Sequence, residues 1–276
     1  MPSSFLLTWD APADRKYEVG VEKTVLYPQS SSSDYPKGVA WNGVTNITES
    51  PSGADETALW ADNMKYLSIR SAEQIGATLE AYTYPDEWKD CDGRRTLAKG
   101  IEVSQQVRKS FGLCYRTVLG NDVEDNDYSY KLHLFYNLTA SPSERAYGTI
   151  NDSPEAITFS WELTSTPIPM PNGLKASALI TIDASQADPE ALAALETILY
   201  GNPGVETYTE TSDETPQTGV TYYTRSGAGT SESPYVYTEF TGSTFDAQTT
   251  YYEKEMVGYA EARLPLPEEV YTLFNS

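Results

Sequence analysis

Histidine occurs once among the 276 residues, as His133, and cysteine twice, as Cys91 and Cys114. That inventory removes the usual instruments of catalysis. A Ser–His–Asp triad or a His-based metal site would have to be built on one imidazole, and no CxxC pair or Cys/His cluster suggests zinc. Two cysteines are too few for a disulfide framework. They could meet in the fold, but are read as reduced thiols. Carboxylates are plentiful, yet no pair carries the flanking signature of a glycosidase acid and base. The run NDVEDND at 121–127 clusters the oxygen ligands that Ca²⁺ prefers, but it lacks the glycine and the final glutamate of an EF-hand loop. It reads as a solvated acidic turn between strands. No enzyme activity, metal or cofactor is expected.

The remaining notable side chains have structural readings. His133 alternates onto the polar side of its strand, which predicts a surface or interface histidine. Trp161 sits on an apolar strand face and is expected in a core. The sequons at Asn46 and Asn137 are treated as chance matches. Tyr222, Tyr223, Tyr251 and Tyr252 could stack on a sugar ring, but cross-strand packing in small hairpins is the simpler account.

Alternation then supplies the elements. Residues 157–164 place Ile157, Phe159, Trp161 and Leu163 on one face. Residues 128–138 do the same with Tyr130, Leu132, Leu134, Tyr136 and Leu138. Residues 174–183, 75–82, 19–27 and 64–69 read as further strands. One-sided strands of this kind predict antiparallel sheets packed on a core. One helix is plainly signalled, with Asp188 as N-cap, Pro189 at its first position, an apolar stripe of Leu192, Leu195, Ile198 and Leu199, and Gly201 just past its end. A shorter helix is expected from Pro267 toward Phe274. Residues 28–37 and 48–63 read as long polar loops, the second with Trp60 near its end, and loops of such length are usually functional or disordered.

Charge limits the partners. Lys+Arg number 19 against 40 Asp+Glu, a formal charge of −21. Gripping nucleic acid through released counterions needs clustered cations, and so does a polybasic membrane anchor. The N-terminal segment lacks a basic region, and no apolar run approaches the ~18 residues that span a bilayer. A soluble chain made and kept in a cytoplasm is expected, with no membrane partner.

Residues 202–258 differ from the rest, being rich in Thr, Ser, Tyr and Gly with almost no Leu or Ile. Residues 208–223 repeat as 237–252 at a constant offset of 29, with seven of 16 positions identical. A period in this range suggests a duplicated supersecondary unit, here a β-hairpin. The composition shift predicts an insertion, giving a core domain over 1–201, an inserted module over 202–258 and a returning segment over 259–276.

A series of segments carries a resemblance. These are VAWNGVT (39–45), ALWADNMKYL (58–67), EAYTYPDE (80–87), CDG (91–93), FGLCYRT (111–117) and YKLHL (130–134). INDSPEA (150–156), TFSWE (158–162), ILYG (198–201) and LPLPEEV (264–270) follow in the same order. In that order the chain resembles the major tail protein, or tail tube protein, of long-tailed bacteriophages of Gram-positive hosts. The inserted block departs from the simpler family pattern. The resemblance implies a mainly β fold, an antiparallel two-sheet sandwich or barrel with one flanking α-helix. It further implies hexameric rings that stack into a tube around a tape-measure protein, with tail initiator, distal tail and terminator proteins as partners. Phage DNA would pass through the lumen without specific binding, and the protein would be assembled in the host cytoplasm into the virion. An acidic chain suits such a conduit, because a phosphate-attracting lumen would hold the genome. Thr48, Glu49, Ser50, Trp60, Asp62 and Asn63 are the expected inter-ring stacking loop, with Trp60 as aromatic anchor. The insertion, including Tyr222, Tyr223, Tyr251 and Tyr252, is expected on the outer wall. The rival reading is an extracellular β-sandwich that binds carbohydrate or a cell surface.

Overall fold

The computed structural model describes residues 9, 12–53, 55–150, 152 and 156–275. Most of the N-terminal decapeptide and most of the 150–156 motif lie outside them. The described chain is mainly β. It divides into two compact units, one of Met1–Tyr200 with Glu261–Ser276 and one of Gly201–Ala260.

The first unit runs β1 (Lys16–Pro28), β2 (Val39–Ala40), β3 (Val44–Gly53), β4 (Glu56–Ala61), β5 (Met64–Arg70), β6 (Glu73–Ala81), α1 (Trp88–Cys91), β7 (Arg95–Ala98) and β8 (Ile101–Val103). It continues with β9 (Phe111–Asn121), β10 (Asp125–Ala140), β11 (Phe159–Ser165), β12 (Leu179–Asp183), α2 (Pro189–Tyr200) and, after the second unit, α3 (Pro267–Leu273). An antiparallel sheet has the order β2-β1-β9-β10-β11-β6-β3, with β12 paired to β10. The sheet curls until β1 and β3, far apart in that order, come into contact.

Each face of this sheet carries a core. The first centres on Trp41, Trp88 and Trp161, whose rings lie 4.6 to 5.5 Å apart, and includes Leu26, Leu113, Tyr115 and Phe135. The second holds Val25, Tyr27, Cys114, Leu132, Leu134 and Tyr136 beneath Leu192, Leu195 and Leu199 of α2 and Val270 of α3. Consecutive residues of β1, β9 and β10 thus enter opposite cores, as a period of two requires. Cys91 lies in the first core and Cys114 in the second, so the sheet separates the thiols. Burial pushes each up to about 12.

α2 follows its sequence signals. Asp188 Oδ1 accepts the backbone N–H groups of Glu190 (3.1 Å) and Ala191 (3.0 Å), and Gly201 turns the chain at φ +81°. β10 departs from them. Leu132, Leu134 and Tyr136 share a core, but Leu138 sits in the other. The ladder to β9 shifts between Phe135 and Leu138, and Asn137 takes φ +50°. This bulge inserts one residue and turns every later side chain to the other face.

The second unit has β13 (Val205–Glu210), β14 (Tyr222–Ser226), β15 (Val236–Phe240) and β16 (Tyr251–Val257). They form one antiparallel sheet in the order β13-β16-β14-β15. Its two ends are tied by paired backbone hydrogen bonds between Asn202 and Ala260, 2.9 and 3.0 Å.

Candidate functional site

Residues 48–63 are not a loop. Thr48, Glu49 and Ser50 belong to β3 and face Thr78, Ala77 and Gly76 of β6. Trp60 is the penultimate residue of β4, and Asp62 and Asn63 form the two-residue turn into β5. Both turn residues adopt positive φ, +51° and +62°, the requirement of a type I′ hairpin turn.

The two strand pairs share one register. Gly53 faces Glu73, and three residues outward Glu56 faces Arg70. Asp55 and Ser71 join them, with Ser71 N donating to Asp55 O at 3.1 Å and Asp55 N to Ser71 Oγ at 3.1 Å. Residues 44–81 therefore make one long hairpin arm. Its inner half lies in the curled sheet. Its outer half, 56–70, extends it by roughly 20 Å at about 3.3 Å per residue.

That outer half is exposed almost throughout. It nevertheless carries Leu59, Trp60, Met64, Tyr66, Leu67 and Ile69, with Trp60 69% and Tyr66 71% accessible. Leu59 faces Leu67, and Thr57 faces Ile69. Polar groups hold the base of the hairpin. Glu56 accepts from Lys65 Nζ and Ser68 Oγ and lies 3.7 Å from Arg70, and the Lys65 hydrogen bond holds its carboxyl below the usual range. A second hairpin, β7–β8, exposes Leu97 and Ile101.

The arm's root meets a partly buried polar cluster. Glu49, from the segment expected to be a loop, has a part-exposed side chain and accepts a hydrogen bond from Tyr115 Oη at 2.6 Å. Tyr115 stacks on His133, with centroids 4.6 Å apart and planes within 3°. His133 is 7% exposed, so the expected surface or interface histidine is a core histidine. Its Nε2 lies 3.0 Å from Thr117 Oγ1 and 3.6 Å from Glu18 Oε1. Its Nδ1 lies 3.3 Å from Glu49 Oε1 without hydrogen-bond alignment, so attraction there depends on a protonated ring. Burial holds the His133 pKa below its ordinary value despite both glutamates. For Glu18, burial is outweighed by hydrogen bonds from Lys131 and Thr117, and its pKa is lowered. β1, β3, β9 and β10 are thereby fastened where the sheet curls round on itself.

The glutamates approach His133 from opposite ring nitrogens, an arrangement that clasps the imidazole rather than chelating an ion. Among the described residues no group of three or more His, Cys, Asp or Glu side chains could hold a metal. Asn121 organises the acidic turn by accepting from the backbone of Val123 (3.0 Å) and Glu124 (2.6 Å). Among the described residues no helix is long and apolar enough to cross a membrane.

The tyrosines of the second unit divide between two faces. Tyr222 and Tyr251 are buried with Phe240 and Phe245, at ring distances of 4.1 to 5.7 Å. Tyr223 and Tyr252 lie on the other face, each edge-on to a tyrosine of its own repeat: Tyr208 at 5.3 Å and Tyr237 at 5.4 Å.

Sequence reasoning placed Trp60, Asp62 and Asn63 with Thr48, Glu49 and Ser50; the fold puts the first three at the tip of the arm and the others in its root. It passed over Met64, Tyr66, Leu67 and Ile69, read only as a strand. Their signal was the failure of alternation, with large apolar residues on both sides of a strand that has no core to enter. No protein-family model and no curated protein matches the chain.

Proposed function

We propose that the chain is a structural protein without catalysis that self-assembles into stacked, hexameric rings, forming the tail tube of a long-tailed bacteriophage. One observation carries this reading: a long hairpin arm with six large apolar side chains on its exposed outer half. A two-stranded hairpin is marginal on its own in water, and exposed apolar patches mark association surfaces. A neighbouring copy receiving the arm accounts for both. The ordered motifs and the acidic composition support the same conclusion. In this reading the finer fold is the tail tube sandwich or barrel. The tape-measure, initiator, distal tail and terminator proteins are partners, DNA passes without specific binding, and residues 202–258 decorate the outer wall of the virion tail.

The packing of Tyr208, Tyr223, Tyr237 and Tyr252 against one another supports a sheet-stabilising role for these rings, in preference to a carbohydrate platform. Negative-stain electron microscopy of the concentrated protein, alone and with tape-measure and initiator proteins, tests the proposal. Stacked rings or hollow tubes are expected; their absence under both conditions would overturn it.

A further inference from the structure

The repeat in the second unit does not build two side-by-side hairpins. The first copy supplies β13 and β14 and the second β15 and β16, yet β13 pairs with β16 and β15 with β14. The two copies also meet at the centre, where β14 pairs with β16 and Tyr223 faces Tyr252. Every ladder in the sheet therefore joins one repeat to the other.

The registers are equivalent as well. Tyr208 faces Lys254. Moving 29 residues on from Tyr208 gives Tyr237, and 29 back from Lys254 gives Arg225, and Tyr237 faces Arg225. The loop contacts obey the same relation. Tyr222 Oη accepts the backbone N–H of Gln217 at 3.2 Å, and Tyr251 Oη accepts that of Asp246 at 2.9 Å. The sheet is a pseudo-two-fold pair of interlocked arms, each arm fitted to bind the other.

In the strand pairing, the connection between the arms breaks this symmetry. It is residues 227–235, nine residues whose backbone hydrogen bonds close on themselves: Ala228 N to Ser233 O at 3.1 Å, and Thr230 and Ser233 to each other at 3.2 Å. The connection folds back through Gly227 at φ +90°, where an added Cβ would lie 2.1 Å from Pro234 O.

We propose that this unit is a strand-exchange module whose partner is a second copy of the same chain. The first arm of one molecule pairs with the second arm of another, and all three ladders form with their native registers. Exchange re-routes residues 227–235 and redirects the arm ends at Asn202 and Ala260, whose paired backbone bonds then form between chains. Closure within one chain is favoured by an effective concentration of roughly millimolar for a short linker. Exchange gains when copies are held together at comparable density, and domain swapping of this kind is a low-cost route to linkage. The inference holds whether or not the chain builds a tube.

Cysteines at Thr224 and Thr238, which face each other across β14 and β15, distinguish the two states. Facing residues lie about 4.5–5.5 Å apart at Cα, within disulfide reach. In the full chain carrying Thr224→Cys and Thr238→Cys, the closed form oxidises within one chain and the exchanged form between two. A non-reducing gel separates the products, and contacts made elsewhere on the molecule do not imitate the second. After mild unfolding and refolding, the between-chain fraction is expected to rise with protein concentration. Deleting residues 227–235, so that β14 can no longer fold back onto β15, is expected to leave only between-chain product. Gly227→Val, which keeps the loop length but strains its closed form, is expected to raise the between-chain fraction severalfold. Within-chain product alone at every concentration in both the native-loop and Gly227→Val proteins would overturn the proposal. So would a deletion variant that forms no between-chain bond.

Discussion

Tyr208 and Tyr237 stack face to face, with ring centroids 3.7 Å apart and planes within 5° of parallel. They are counterparts in the 29-residue repeat, so each repeat contributes the same residue to one contact. Tyr208→Ala and Tyr237→Ala should therefore destabilise the second unit by similar amounts, about 1–3 kcal/mol each. Because the rings are partners, the double variant should fall short of additivity by about 0.5–1.5 kcal/mol. Hydrogen exchange of the second unit's amides measures this, with the first unit as internal control. Additive effects would show that the stack contributes nothing as a pair.

The hairpin arm separates assembly from stability. Trp60 and Tyr66 are mostly exposed, so Trp60→Ala and Tyr66→Ser should each change the Tm of the isolated chain by no more than about 0.5 kcal/mol equivalent. Both should abolish or shorten tubes seen by electron microscopy. Tubes of normal length from the double variant would remove the arm from the assembly interface.

His133 sets a pH dependence whose sign follows from its burial. Its folded pKa is held below 6.5, so the unfolded chain binds the proton more readily. The stabilisation from keeping the ring neutral is complete above the unfolded value and is lost as pH falls through it toward the folded value. Glu18, also lowered, extends the loss below about pH 4.5. The Tm of the first unit should fall between pH 7.5 and 5, and His133→Gln should flatten that interval. An equal slope in the variant would place the titrating group elsewhere.

Asn137 tests the bulge in β10. At φ +50° asparagine is tolerated, glycine is comfortable and a β-branched residue is strained. Asn137→Gly should be nearly neutral, whereas Asn137→Val should cost about 1–3 kcal/mol of the first unit's stability in denaturant titration. Equal stability of the two variants would argue against a positive φ at this position.

These residues mark the boundary of what the sequence made legible. α2 was readable because Asp188, Pro189, the leucine stripe and Gly201 are all local signals. Leu138 was misplaced because alternation assumes an unbroken register, and no residue type announces a bulge by itself. His133 was misplaced because its strand was treated as having one wet face. In fact that face carries Phe135 into the tryptophan core and buries His133 beside Tyr115, and only Phe135 hinted at it. Residues 48–63, on the outgoing side of the arm, read as a loop because β3 is polar and β4 has no buried face, whereas 64–69 and 75–82 on its returning side did read as strands. The interlocking of the repeats lay beyond sequence altogether. An offset of 29 residues is equally compatible with separate hairpins, and only pairing partners distinguish them.

The separation of Cys91 and Cys114 by a single sheet gives the molecule two independent clocks. Each thiol is unreactive while its own side stays shut, because burial holds both near 12. Alkylation of Cys91 then times the opening of the tryptophan side, and alkylation of Cys114 the lifting of α2 and α3 from theirs. The order in which the two are modified, read by mass spectrometry without any engineered label, reveals which side of the first unit lets solvent in first.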